Sequence, residues 1–392
     1  MQKAIHTYLD LDVVNNNLTS DVIAPMLRFE EIRNTPFLEG DSSEYFCSIM
    51  RFSIQTGNSL PIFIPRIEVG QADVNKTVYQ LTLRCLGGAD KTTYFEATVP
   101  IYHKTSDTTV AKPQQPASKQ DMSSAYYFYY NIQDIVDVLN AACTSAFAAL
   151  NQLLPKSALD PTHPEKLTSI LDSTYCPFFE FDYDTCKLVL NVDQNYLTSA
   201  KMAGEVYFNT RFYELLSTMH CDMISRTGFK NYRLHSSTIN NRTVKDSAGT
   251  TYTMYQTIQE MSTLAIWNPI ASVVFCTGML PIVSTNTSPP LIYDDTSNNN
   301  LTSSGNNSNL SNILSDFEMP VSNSNQYRPI IVYNPSAEYR LIDMNSQLNL
   351  NKIDISVFWK THFGEFIPLR LQPGCAAHIK ILFRRKTFYL GY

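Results

Sequence analysis

Charge is scarce in this sequence: only 17% of its 392 residues are Asp, Glu, Lys or Arg, below the roughly 25% of an average soluble domain. The signatures of the commoner catalytic sites are missing too. There is no G-x-x-x-x-G-K-[ST] phosphate loop, no G-x-G-x-x-G, no H-E-x-x-H and no G-x-S-x-G elbow. Seven scattered histidines leave little from which to assemble a triad across distant positions. The eight cysteines include no C-x-x-C pair, which removes the usual zinc and redox arrangements. His220 and Cys221 are sequence neighbours, so their side chains diverge on a strand or a helix and make poor co-ligands. The cysteines are expected as buried, reduced, small hydrophobes, and no cofactor or metal is expected.

A membrane span is excluded on similar grounds. The longest apolar stretch, Leu264–Val283, is broken by Asn268-Pro269, Gly278 and Pro281, and in a bilayer those breaks would expose unsatisfied backbone. Residues 1–25 hold no apolar block of the signal-peptide kind. A soluble chain made inside a cell is expected, with no membrane insertion.

What is present points to strands. Apolar residues make up 44%, with 23 Tyr and 21 Phe, and Asn, Ser and Thr recur along most of the chain, a composition of pleated surfaces and turns. Strands are expected at Tyr45–Ile54, Leu60–Ile64, Val78–Cys85 and Tyr94–Tyr102, then at Phe178–Phe181 and Lys187–Val192 around a DYDTC turn. Later runs are Thr251–Gln256, Ala271–Cys276, Pro329–Tyr333, Ile353–Trp359, Ile367–Leu371 and Ala376–Phe383. Two segments depart from this pattern. Residues 131–154 place Ile132, Ile135, Val136, Leu139, Cys143, Leu150 and others at three- and four-residue steps, with Asn131 as N-cap and Pro155 as stop. A shorter helix is expected over Asn209–Met219. Thr105–Ser124 and Ser284–Asn312 are polar and aperiodic, and the second reads as a mobile surface loop.

Three features invite a chemical reading. In Pro177–Asp184, Glu180, Asp182 and Asp184 share one face of an extended chain. Three carboxylates are the donor type for Ca²⁺, and two the type of a glycosidase pair. An amphipathic strand entering an acidic turn explains the same pattern, and no Gly-containing calcium loop accompanies it. Trp267 and Trp359 lie within apolar runs, which favours core burial over a stacking platform. Net charge is −6, yet Asn351–Tyr392 carries +5 and leaves −11 for the rest. The cluster Arg384, Arg385, Lys386 within that tail is the candidate contact for an acidic partner, though the guarding of an edge strand is the plainer account of these charges. Residues 1–30 hold only Lys3 and Arg28 against four acids, so an N-terminal arm that condenses a genome is not expected. TGNSLPI at Thr56–Ile62 and TGMLPI at Thr277–Ile282 echo one another, as a duplicated β domain or a recurring strand–turn device would.

Toward the C-terminus the runs ILSDFEMP, YRPIIVYNPSAEYRLIDM and LNLNKIDISVFWKTHFGEFIPLRLQPGCAAHIKILFRRK, with YFCSIMRFSIQTGNSLPIFIP nearer the start, resemble capsid proteins of non-enveloped DNA viruses of the polinton-like, virophage and adintovirus group. With the one long and one short helix read above, a mainly β fold is expected. The resemblance implies a jelly-roll β-sandwich, which the residues leave open as single with insertions or double. It implies a structural, non-enzymatic component of an icosahedral shell, at the vertex (penton) or elsewhere, found in the virion and made in the host cytoplasm. Its partners would be copies of itself, as pentamer or trimer, and other capsid proteins, with direct genome contact left open. The expected organisation is an N-terminal arm at 1–44, a β-sandwich at 45–283 with a helical insertion near 131–154, the polar loop at 284–312 and completing strands at 313–392. Two other readings fit the residues: a receptor- or glycan-binding β-sandwich using the 284–312 loop, and a hydrolase using Glu180 or Asp182.

Overall fold

The computed structural model describes residues 5–17, 24–57, 59–86, 93–105, 107–114, 119–154, 170–198, 202–283, 291–293, 301–303, 312–319, 330–335 and 340–386. The described chain divides into two compact units: one holds the residues up to Pro61 and from Pro269 onward, the other Ile62–Asn268. Strands and helices are numbered in chain order.

The first unit is a jelly roll. Its eight main strands are β1 (His6–Val14), β2 (Arg28–Ile32), β3 (Tyr45–Gln55), β13 (Ile270–Thr277), β16 (Asn312–Glu318), β17 (Ile330–Tyr333), β19 (Lys352–Thr361) and β21 (Ala376–Arg385). One sheet runs β1-β21-β3-β17 and the other β2-β19-β13-β16. Counted along the chain, that is strands 1-8-3-6 against 2-7-4-5, the interleaved Greek keys of the fold. Two short strands extend the sheets, β18 (Ile342–Asp343) on β3 and β20 (Phe366–Pro368) on β19, while β14 (Leu291–Tyr293) pairs separately with β15 (Leu301–Ser303).

Alternation builds the sandwich. In β21, Ala377, Ile379, Ile381 and Phe383 are buried, while His378, Lys380 and Arg384 lie on the other face, as the period of two requires. Between the sheets Phe52 packs edge-on against Phe275 at 5.0 Å, and Phe317 stacks on Tyr333 at 4.4 Å.

Two expectations change here. Residues 1–44 are not simply an arm, because β1 and β2 are full members of the two sheets. The choice between single and double roll falls to the single: the 45–283 span contains the crossover from the third strand to the fourth, and the second unit is inserted there. The two TG-LPI echoes follow β3 and β13 of the same roll, so they mark a recurring turn device and no duplicated domain.

The inserted unit has a different topology. Its strands are β4 (Lys76–Leu86), β5 (Tyr94–Tyr102), β6 (Phe178–Asp182), β7 (Lys187–Asp193), β8 (Glu205–Phe208), β9 (Cys221–Met223), β10 (Tyr232–Leu234), β11 (Ser237–Lys245) and β12 (Thr251–Ile258). They form the sheets β5-β4-β8-β10-β9 and β11-β12-β7-β6. Sequential hairpins dominate, which separates this order from a jelly roll. The long helix α1 (Ile132–Leu153) packs on β4, β5 and β6, and α2 (Gln194–Thr198), α3 (Thr210–Leu215) and α4 (Leu264–Trp267) are short. Asn131 caps α1 by accepting from the Asp134 N–H at 2.8 Å and donating to its carboxylate at 2.6 Å, which satisfies a donor the helix start leaves open. The core of this unit joins Leu83, Leu139, Phe179, Leu190, Phe208 and Phe212 with other residues, all between Phe63 and Trp267.

His103 is sealed into this unit among Tyr126, Tyr127 and Tyr129. Its Nε2 lies 2.8 Å from the Tyr126 carbonyl, which can only accept, so Nε2 carries the proton; Nδ1 accepts from the Tyr129 hydroxyl at 2.9 Å. Burial lowers its pKa, and the bond to Tyr126 offsets that only in part. An unfolded histidine titrates near ~6.5. Below that value the unfolded chain takes up a proton the folded one resists, so this contribution to stability is present above pH ~6.5 and is lost as pH falls. Thermal melts are expected to show a lower Tm at acid pH, with His103→Gln flattening that slope. An unchanged slope in the variant removes His103 as its source.

Candidate functional site

The outer face of the β1-β21-β3-β17 sheet presents cross-strand rows set by register. In the middle Lys380 Nζ lies 3.2 Å from Asp10, Arg51 lies 3.9 Å from the same carboxylate, and His378 Nδ1 lies 2.6 Å from Asp12. These pairs are exposed, so each contributes little, about 0–1 kcal/mol. Toward one end the face turns apolar. Val14 stands opposite Ala376 and Ile330 opposite Gln55, with Val332 beside Ser53 one row in. Val14, Ile330 and Val332 are each more than half exposed. A sandwich already buries its inner faces, so apolar residues on the outer face are available for contact with another chain.

The basic cluster at the end of β21 is largely committed within the chain. Arg385 is buried, its guanidinium meets Glu44 and lies 5.7 Å from the Tyr45 ring, and its N–H donates to the Ile5 carbonyl at 3.0 Å. Lys386 Nζ donates to the Met344 carbonyl at 3.1 Å and stands 2.9 Å from Asp343. Arg384 lies on the outer face, in register with His6 and Phe46. A partner carboxylate at Arg385 or Lys386 would compete with Glu44 and Asp343. Arg385→Ala is therefore expected to lower folding stability by about 1–2 kcal/mol, a buried-pair loss reduced because Glu44 stays partly solvated. Urea denaturation reads this directly; a variant as stable as the parent contradicts the anchoring role.

The carboxylates of EFDYD do separate jobs. Glu180 pairs with Arg242 at 2.7 Å and accepts from Asn191 at 3.1 Å. Asp182 accepts from the Thr185 hydroxyl at 2.5 Å and the Asp184 N–H at 3.0 Å, and these bonds hold its carboxyl below the usual range. Asp184 is exposed on the turn. Among the described residues no group of three or more His, Cys, Asp or Glu is placed to hold a metal ion. Both tryptophans are in cores: Trp359 is 1% exposed, and Trp267 donates from its indole to the Leu215 carbonyl at 2.8 Å. Five of the eight cysteines are buried. Burial pushes the thiols of Cys47 and Cys276 up to about 12, so they hold their protons and are poor nucleophiles.

Sequence reasoning missed a polar network on the sheet of the inserted unit. Arg84 and Arg233 both reach Glu205, at 2.5 and 3.3 Å, and Arg233 continues to Asp222 at 2.9 Å. Burial raises the Glu205 pKa, but the Tyr207 hydroxyl and Arg84 outweigh it, and the carboxyl sits below its ordinary value. These residues come together from β4, β8, β9 and β10, a convergence that no local motif announces. The 284–312 loop lies outside the described residues apart from β14, β15 and Asn312.

Among known proteins, the family model described as Sputnik minor capsid protein V18/19 matches residues 7–385. Structural protein V19 of Sputnik virophage is 27% identical over 134 residues, and the uncharacterized protein V18 of the same virophage is 30% identical over 113. These matches take in 33% and 27% of this chain and 55% and 62% of those relatives. A chain of the 3.5 Å cryo-EM structure of the Sputnik virophage superposes with a TM-score of 0.74 at 22% identity, covering 99% of both chains. The crystal structure of the mavirus penton protein gives 0.60 at 14%, covering 97% of this chain and 99% of that one. At such identities the structures show a shared fold, and that fold accounts for the sheet order found here. Because the family model runs from β1 to the end of β21, the chain belongs to the Sputnik minor capsid protein V18/19 family.

Proposed function

We propose that this structural capsid protein is the vertex (penton) component of an icosahedral shell, assembling as a cyclic oligomer through its β-sandwich. The observation that carries this reading is the single jelly roll with a second unit inserted between its third and fourth strands. The whole-length likeness to a chain named as a penton protein supports it. In this reading the protein works by shape and contact with no catalytic step, its partners are copies of itself and other capsid proteins, and it resides in the virion after synthesis in the host cytoplasm. No membrane insertion is part of this reading. Among the described residues no helix is long and apolar enough to cross a membrane. An acidic partner that met the C-terminal basic cluster Arg384, Arg385, Lys386 would compete with Glu44 at Arg385 and with Asp343 at Lys386.

Light scattering of the purified protein across salt and concentration tests the proposal. Pentamers are the expected result. Trimers would move the protein away from the vertex, and a monomer persisting at high concentration would overturn self-assembly.

A further inference from the structure

The inserted unit carries two exposed tips of opposite character. The loop from β9 to β10 presents Met223, Ile224 and Phe229, each more than half exposed, with Arg226 between them. Large apolar side chains on a loop cost solvation unless something covers them. Hydrogen bonds brace this loop. Asn231, 2% exposed, donates from its side chain to the Ser225 carbonyl at 3.2 Å and accepts from the Thr210 N–H at 2.9 Å, and its own carbonyl accepts from the Ile224 N–H at 2.8 Å. Ser225 and Thr227 bond to each other, and Gly228 supplies a positive φ of 85° that a side chain would strain. An apolar surface ordered before binding loses little entropy when covered.

The second tip is the turn from β6 to β7. It presents Tyr183, 64% exposed, beside Asp182 and Asp184. This tip is ordered as well. Asp182 accepts from Asp184 and Thr185 within the turn, Tyr183 packs edge-on against Phe181 at 5.0 Å, and Cys186 closes the turn at a φ of 56°. Among the described residues neither Arg226 nor Asp184 has an ion-pair partner. One tip is apolar and basic, the other aromatic and acidic, and they close hairpins at the edges of different sheets.

We propose that the 223–229 loop of one copy docks on the 182–184 turn of a neighbouring copy, with Arg226 facing Asp184 and Phe229 covering Tyr183. Two different patches of the same chain then meet head to tail. Such a contact closes into a ring when the rotation permits, and only a chain carrying both patches can propagate it. The occupant is a second copy because the complement of the basic tip is present on the chain itself. The inference rests on the self-assembly proposed above and deepens it by naming the contact.

Charge reversal in both partners is the test, on the full chain, with association read by sedimentation across a concentration series. Arg226→Glu and Asp184→Lys are each expected to weaken association about tenfold or more, while the double variant recovers to within about threefold of the parent. Both positions are exposed, and melting curves matching the parent confirm that the variants fold. Phe229→Ser is expected to weaken association without rescue by either reversal. If the single variants assemble like the parent, or the double variant stays dissociated, the contact is wrong while self-assembly stands. If the parent itself is monomeric throughout, self-assembly and this contact fall together.

Discussion

Asp354→Ala is expected to cost about 3–4 kcal/mol of stability, more than a typical surface or core change. Asp354 sits in the central strand β19, 6% exposed, between the apolar Ile353 and Ile355. Its Oδ1 accepts from the Thr277 hydroxyl at 2.8 Å and the Met279 N–H at 2.7 Å, and its Oδ2 accepts from the Gly278 N–H at 3.0 Å. Arg28 adds a charge at 3.6 Å. The carboxylate thus organises the turn that leaves β13, where the Leu280 N–H also reaches Thr277 Oγ1 at 3.0 Å. Hydrogen bonds to a charged group contribute about 1.5–3 kcal/mol each but are not additive within one cluster. Removal leaves the Gly278 N–H without an acceptor and the Met279 N–H with only Thr277 Oγ1, at 3.3 Å. Asp354→Asn keeps the shape and one acceptor but turns an N–H₂ toward donors, so a loss of about 2 kcal/mol is expected. Guanidinium denaturation of parent and both variants decides the matter. A loss below about 1 kcal/mol for the alanine variant would show that water or a shifted turn replaces the carboxylate.

How far such features could be read beforehand depended on whether their cause was local. Strand β5 spans Tyr94–Tyr102, the range its alternation indicates, and α1 spans Ile132–Leu153 because its apolar spacing, cap and terminating proline agree. LPIFI failed as a strand. Pro61 within it and Pro65 directly after it lack N–H donors, and Phe63 makes only an isolated bridge to Tyr129. In β1, Leu9 and Leu11 alternate with Asp10 and Asp12, which the expected arm at 1–44 passed over, and its partner β21 lies at the far end of the chain. Strand β11 is exposed along most of its length, so neither face carries an apolar signature. The expected short helix over 209–219 shrinks to Thr210–Leu215, and Thr218 adopts a φ of 81°, which ends any helical continuation. The basic cluster shows the same limit from the side of function. Its charge was countable, yet Glu44 and Asp343 reach it only through the sandwich. An acid inside an apolar strand, as at Asp354, is a sign of a built polar site, because burial without partners is too costly to persist.

Phe52→Ala is expected to destabilise the jelly roll by about 3–5 kcal/mol while leaving the inserted unit folded. Phe52 in β3 is fully buried and faces Phe29 at 6.4 Å, Phe275 at 5.0 Å and Phe317 at 6.4 Å, three rings from the opposing sheet. Truncation removes the side chain that joins the two layers, and rings anchored on β2, β13 and β16 cannot collapse fully into the space. The core of the inserted unit draws on Phe63–Trp267 and shares none of these residues, so its own unfolding free energy has no direct dependence on Phe52. Hydrogen exchange resolves the two responses. Amides of β3, β13 and β21 in the variant are expected to exchange about a hundredfold or more faster than in the parent, the least that 3 kcal/mol implies at roughly 1.4 kcal/mol per factor of ten. Amides of α1, β4 and β7 are expected to keep their protection. Equal loss of protection in both sets would mean that the inserted unit depends on the roll for its fold, and that the chain unfolds as one cooperative body.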